Sequence, residues 1–211
     1  MTMKLHCFGE SGNAYKAALT LELTEAEWEP VFVDFFGGAT RTPEFRDLNV
    51  MGEVPVLEDG DTVLTQSGVI QDYISSKTGK LGGKSADERR EILRWMFFDN
   101  HKVSGVAGPL RFNTNFLPED KRNADVNAFL TMRLPSALKV LETHLERRDW
   151  VAADRLTVAD IALAGYLYYP EAYGFDRGDF PNIDGWLTRL SDTPGWKAPY
   201  DLMPGSPADR A

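Results

Sequence analysis

A chain of 211 residues, 43% hydrophobic and 26% charged, can bury a core without help, and its single cysteine, Cys7, excludes an internal disulfide or a CxxC redox pair. The formal charge of −9, from 23 basic and 32 acidic side chains, argues against nucleic acid or a membrane surface as a partner, because both are anionic. No apolar run reaches signal-peptide or membrane-spanning length, so the expected location is the cytoplasm, and the lone cysteine suits a reducing compartment.

Lys4 to Phe8 reads as a short strand closed by Gly9. Asn13 to Leu23 carries Ala14, Ala17, Ala18 and Leu21 at helical spacing. Glu29 to Phe36 alternates through Val31, Val33 and Phe35 as a strand should, and stops at Gly37-Gly38. Val54 to Leu57 and Thr62 to Leu64 flank an Asp-Gly pair, a hairpin signal. Ser67 then opens an amphipathic helix through Val69, Ile70, Tyr73 and Ile74. The order β-α-β-(α)-β-β-α gives a four-stranded mixed sheet with helices on both faces. Residues 79–85, with Gly79, Gly82 and Gly83, read as a linker.

Beyond the linker the period is helical throughout: Ala86 to about Lys102, Asp120 to Arg148, Thr157 to Tyr169 and Ile183 to Leu190. Gly105, Gly108 and Pro109 are expected to break or kink the first of these helices, and Pro135 to bend the second. The tail after Trp196 is rich in proline, with little periodicity.

Three local patterns stand out. Gly52-Glu53-Val54-Pro55-Val56-Leu57 puts a proline at a strand entry. That is either an ordinary turn or a cis peptide presenting the backbone of Val54 to an extended ligand. Gln66-Ser67 follows, with Ser67 at an expected helix N-cap, where free N–H groups and the helix dipole attract a carboxylate or the hydroxyl simply caps its own helix. Leu156-Thr157-Val158-Ala159-Asp160-Ile161 is a capping box flanked by a hydrophobic staple.

Together these motifs resemble the cytosolic glutathione transferases, over nearly the whole chain, and in particular the bacterial serine-type members with a Ser/Thr-Asn pair. The resemblance implies an α/β thioredoxin-like, glutathione-binding domain over residues 1–79 and an all-α domain over 86–211. It implies glutathione as cosubstrate, no metal, a hydrophobic or electrophilic small molecule as second substrate, a detoxifying transferase activity, and a homodimer. In the family pattern Ser11 of Gly9-Glu10-Ser11-Gly12-Asn13 is the thiol-activating hydroxyl, with Asn13 beside it. Gln66 and Ser67 would hold the γ-glutamyl end, while Val54, next to Pro55, would pair with the cysteinyl unit. The glycyl carboxylate would take Arg41, or else Arg46. Glu53 departs from the pattern, which commonly has Lys, Arg or Gln there.

The chemistry asked of Ser11 is modest. A thiol near pKa 8.5 is mostly protonated at neutral pH, and a two-unit drop needs about 2.7 kcal/mol of thiolate stabilisation. A hydroxyl hydrogen bond to an anion supplies about 1.5–3 kcal/mol and a helix N-terminus adds to it. Ser11 would thus be a donor and not a nucleophile; no His–Asp partner is needed. Its plainer reading is as a helix cap. Cys7 is the rival thiol, although a buried place in the first strand is expected for it. Phe112 and Tyr166 are candidates for the second-substrate pocket, and Arg111 and Asn113 would favour a polar or anionic electrophile there. His6, His101 and His144 are scattered and suggest no metal site. Two alternatives to conjugation are a glutathione-dependent disulfide reductase or peroxidase, and a non-catalytic interaction module on the same fold.

Overall fold

The computed structural model describes residues 2–205 and 207. They fall into two compact units: residues 2–82 together with the segment from Thr193, and Gly83–Asp192. The tail, which the sequence pattern leaves with the helical half, is therefore grouped with the first unit. Positions 206 and 208–211 of that tail lie outside the described residues.

The first unit runs β1 (Met3–Cys7), α1 (Gly12–Leu23), β2 (Trp28–Phe32), a 3-10 turn at Ala39–Arg41, α2 (Pro43–Leu48), β3 (Val56–Asp59), β4 (Thr62–Thr65) and α3 (Ser67–Thr78). The sheet order is β2-β1-β3-β4. β1 pairs in parallel with β2 and antiparallel with β3, and β3 pairs antiparallel with β4 through the expected hairpin. Partners in register share a face, so Leu5 and Leu57 lie on one side while His6 and Val56 lie on the other. On the Val56 side, α2 contributes Phe45 to a cluster with Val33 and Val56. α1 and α3 pack on each other, with Gln71 Nε2 donating to the buried Thr20 Oγ1 at 3.1 Å. β2 ends at Phe32, short of the expected Phe36, and tolerates Pro30 because it is an edge strand. Phe35 and Phe36 instead gather on Phe8, Phe35 stacking at 4.8 Å and Phe36 meeting it edge-on at 6.0 Å.

The second unit runs α4 (Ala86–Phe98), a π-helical turn at Asp99–Val103, α5 (Ser104–Asn115), a 3-10 turn at Glu119–Lys121, α6 (Ala124–Leu145), α7 (Val158–Ala164), a 3-10 turn at Arg177–Asp179 and α8 (Pro181–Ser191). The expected break at Gly105, Gly108 and Pro109 is absent: the chain stays helical through Pro109, and the irregularity sits upstream, in the π turn. Pro135 also remains within α6, on its exposed side, where water can meet the carbonyl that proline leaves free. α6 starts later than expected because Asn123 caps it, accepting from Val126 N–H at 3.1 Å. α7 stops at Gly165, well before Tyr169.

Asp160 organises this unit. It is fully buried and closes the expected capping box, accepting from Thr157 N–H and Thr157 Oγ1, each at 2.9 Å. It also accepts from Val151 N–H at 2.8 Å and Trp186 Nε1 at 3.1 Å, so one carboxylate joins α7, α8 and the segment before α7. Burial pushes its carboxyl above the usual range, and these four donors oppose that shift. Asp160→Ala leaves buried donors unmet and should cost about 3 kcal/mol or more, whereas Trp186→Phe removes one bond and should cost about 1 kcal/mol plus any packing loss. Urea unfolding followed by far-UV circular dichroism checks both the values and their order.

Candidate functional site

The loop between β1 and α1 is a tight turn in which Ser11 N–H donates to Phe8 C=O at 3.1 Å. Ser11 is the N-cap of α1, with φ −82° and ψ 104°, and its Oγ accepts from Ala14 N–H at 3.1 Å. The capping role is therefore real. It does not use up the hydroxyl, which has one proton to donate and a second lone pair, and no described residue takes that proton. Asn13, in the first turn of α1, has a buried Oδ1 with no hydrogen-bond partner among the described residues. The first turn of α1 contains no acidic residue, but the buried Glu10 stands immediately before its Ser11 cap.

The Val54–Pro55 peptide is cis. The sheet ladder starts at Val56, so Val54 lies outside it. At α3 the arrangement differs from expectation by one residue. Gln66 is the N-cap and Ser67 the first helical residue, and Gln66 makes no side-chain capping bond. Gln66 holds φ +68° and ψ 118°, a region that costs a non-glycine residue about 1–3 kcal/mol. Ser67 Oγ has no partner among the described residues. The first turn of α3 thus offers a free hydroxyl, unpaired N–H groups and a positive dipole end at the same place.

Glu53 is brought to this group: Gln66 Nε2 donates to Glu53 Oε2 at 3.4 Å and lies 3.0 Å from Met51 Sδ. The loop beneath is tied by Asn49, whose Nδ2 donates to Glu53 C=O at 2.7 Å and whose Oδ1 accepts from Met51 N–H at 3.0 Å. Arg46 stands against the same loop, donating to Val50 C=O at 2.7 Å and lying over Gly52 so closely that a Cβ there would overlap its guanidinium. Arg41 ends the 3-10 turn, is exposed, and has no partner among the described residues. Of the two arginines, only Arg46 touches the loop that holds Glu53.

Cys7 is fully buried, and burial pushes its thiol up to about 12. His6 pairs with Glu58 at 2.5 Å, and His144 bonds Val151 C=O at 2.7 Å. Among the described residues, no group of three or more His, Cys, Asp or Glu could hold a metal ion. In the second unit Phe112 is half-buried, its ring 6.3 Å from Phe116. Tyr166 is buried against Gly108, where a Cβ would stand 2.9 Å from its hydroxyl. Arg111 and Asn113 are committed internally, contrary to expectation. Arg111 pairs with Glu171 at 2.7 Å and lies 3.7 Å over the Tyr169 ring, while Asn113 Nδ2 donates to Asn127 Oδ1 at 2.5 Å. Neither pairing has a local sequence signal.

Two family models match the chain: the glutathione S-transferase N-terminal domain over residues 1–76 and the glutathione S-transferase C-terminal domain over residues 114–194. A glutathione S-transferase structure from Pseudomonas fluorescens is 30% identical, covers 95% of this chain and 100% of its own, and superposes with a TM-score of 0.88. The chain belongs to the glutathione S-transferase superfamily. A glutathione transferase from Burkholderia graminis, solved with two glutathione molecules bound per subunit, is 27% identical over 92% of this chain and 85% of its own, with a TM-score of 0.82. Elongation factor 1-gamma 3 of Oryza sativa is 28% identical over 93% of this chain, which spans only 48% of that longer protein. Among the described residues of this transferase-family chain, no helix is long and apolar enough to cross a membrane.

The burial of Cys7 has a direct chemical consequence. At about pH 8 the folded protein should take up no iodoacetamide over hours, and the denatured protein should take up one equivalent. Rapid labelling of the folded form, read by intact mass, would contradict the position of this thiol.

Proposed function

We propose that this chain binds glutathione in its first unit and transfers the thiolate to small electrophiles, with Ser11 as the hydrogen-bond donor to sulfur. The observation that carries this reading is the state of the Ser11 hydroxyl: held by Ala14 N–H at 3.1 Å, with its proton uncommitted, at the positive end of α1. Asn13 supports it with an unmet buried acceptor in the same turn. The γ-glutamyl carboxylate and amine suit Ser67, the first N–H groups of α3, and Gln66. Val54 lies outside the ladder next to the cis Pro55 and is the backbone partner for the cysteinyl unit. Arg46 or Arg41 is the cation for the glycyl end.

In the reaction the thiol proton leaves to solvent, the sulfur lone pair forms the S–C bond, and the leaving group departs with the electron pair of the bond it breaks. Ser11 stays covalently unchanged. Ser11→Ala should raise the pKa of the bound thiol by about 1–2 units and lower kcat/KM toward an aryl halide by about 10–100-fold. Thiolate absorbance of the bound glutathione against pH measures the first, steady-state rates the second, and an unchanged variant would remove Ser11 from the mechanism.

Glu53 contributes an unfavourable charge, because glutathione brings two carboxylates. It is exposed, so the effect is small, and Glu53→Gln should lower KM for glutathione about threefold while leaving kcat alone. A rise in KM would instead make Glu53 a ligand contact, through the glutathione amine.

Two glutathione molecules in the Burkholderia graminis relative give the reductase alternative a concrete form. Two bound thiols would yield one disulfide, two electrons and two protons for a disulfide or hydroperoxide substrate. The elongation factor match favours the third reading, an interaction module. Absence of glutathione binding at millimolar concentration in calorimetry would select it over both activities.

A further inference from the structure

The chain returns to the first unit after α8 and closes over the loop that carries Ser11. Tyr15 of α1 donates its hydroxyl to Lys197 C=O at 2.8 Å, and Lys197 Nζ meets Glu22 Oε1 at 2.5 Å. The short helix α9 (Pro199–Leu202) then packs on α1, with Pro199, Leu202 and Met203 buried. At the far end Gly9 N–H donates to Pro204 C=O at 2.7 Å. Gly9 is the second residue of the turn whose fourth is Ser11, so the strap grips the turn two residues from the hydroxyl.

The approach is close on both sides. A Cβ on Gly9 would stand 3.1 Å from Tyr200 Cδ1 and 3.2 Å from Gly205 C=O. Gly205 itself holds φ +82°, and a Cβ there would overlap the Phe32 ring. The turn's first residue, Phe8, is also held by Phe35 and Phe36. Connecting loops are ordinarily among the more mobile segments of a fold, whereas this turn is buried from Phe8 to Glu10 and touched by both the strap and the Phe35–Phe36 pair.

We propose that residues 197–205 are a positioning element for Ser11: Tyr200 and the Pro204 carbonyl hold the Phe8–Ser11 turn where the hydroxyl meets the sulfur of glutathione. The proposal rests on the reading of Ser11 as thiolate donor. A displacement of about 1 Å in a reacting group costs up to about a hundredfold in rate, so a tether on this turn acts on the chemical step more than on ligand affinity.

Tyr200→Ala removes the contact with Gly9, and Tyr15→Phe cuts the bond to Lys197 while keeping its packing. Each is measured alone and on the Ser11→Ala background, for kcat, for KM toward glutathione, and for the pH profile of kcat. Amide hydrogen exchange of residues 8–14 is followed alongside. The expected result for Tyr200→Ala is a fall in kcat of about tenfold, a smaller change in KM, an acid limb moved to higher pH, and faster exchange in the turn. On the Ser11→Ala background the same change should alter kcat by less than about twofold, because the group it positions is gone. Tyr15→Phe should move the same readouts in the same direction by less. Equal factors on both backgrounds, or an unchanged kcat, would overturn the strap's role while leaving Ser11's intact. A silent Ser11→Ala single variant would overturn the Ser11 reading and this proposal together.

Discussion

A helix buried on nearly all sides has to satisfy its ends without water, and α1 is such a helix. Ala14, Tyr15, Ala17, Ala18, Leu19 and Leu21 are all fully buried. The first N–H groups of any helix lack intrahelical partners, and here Ser11 takes one of them. That bond fixes where Oγ lies and leaves its proton available to another acceptor. In the proposed mechanism cap and chemical donor are two uses of one hydroxyl, and the first use would position the second. A serine in a flexible loop would lose part of its bond to sulfur to the entropy of being ordered.

The acidic surface does not prevent an anion from binding at such a place. Charges beyond about 8–10 Å are largely screened at physiological salt, so the groups within reach of the ligand decide the local field. For the proposed site those groups would be the N-termini of α1 and α3, the Gln66 amide and Arg46, against Glu53 and the buried Glu10. Gln66 Nε2 donates to Glu53 Oε2, so a ligand carboxylate bound at Gln66 as proposed would compete with a carboxylate already there. The strained backbone of Gln66 places its side chain at the mouth of α3, where a regular helix start would have put a plain cap.

How much of this was legible in the sequence follows from the range of each interaction. Thr157 and Asp160 lie three residues apart, so their box could be read directly; the bonds from Val151 and Trp186 to the same carboxylate could not. Ser11 was legible as a cap and as a family position, and the structure makes the two compatible. Ser67 was misplaced by one residue because Gln66 adopts a backbone conformation that no propensity favours in glutamine. The hold of Arg46 on the Val50–Gly52 loop has no local sequence signal, because it depends on how that loop folds back over the side chain. The strap was invisible for the same reason at greater length: the Gly9–Pro204 bond joins the two ends of the chain.

The position of Cys7 narrows the chemistry further. Its thiol is sealed and protonated, and it is the only cysteine in the chain. In the proposed reactions the reacting sulfur must then come from a ligand. Conjugation needs one such sulfur, held as a thiolate and open to the electrophile on its far side. Reduction of a disulfide or hydroperoxide needs two electrons, hence two ligand sulfurs within bonding distance before the step completes, or a second glutathione arriving from solution afterwards. A single hydroxyl donor such as Ser11 can lower the pKa of only one sulfur at a time. The second thiol would have to be activated by another group or attack as the less acidic partner. Asn13, with its buried oxygen unmet, is the polar group nearest in sequence to Ser11 within the first turn of α1. As placed, that oxygen accepts a hydrogen bond and so favours a protonated partner, such as a ligand N–H, over a second thiolate. On the proposed reading of Ser11, one hydroxyl would activate one sulfur, which makes conjugation the activity to measure first and reduction the second.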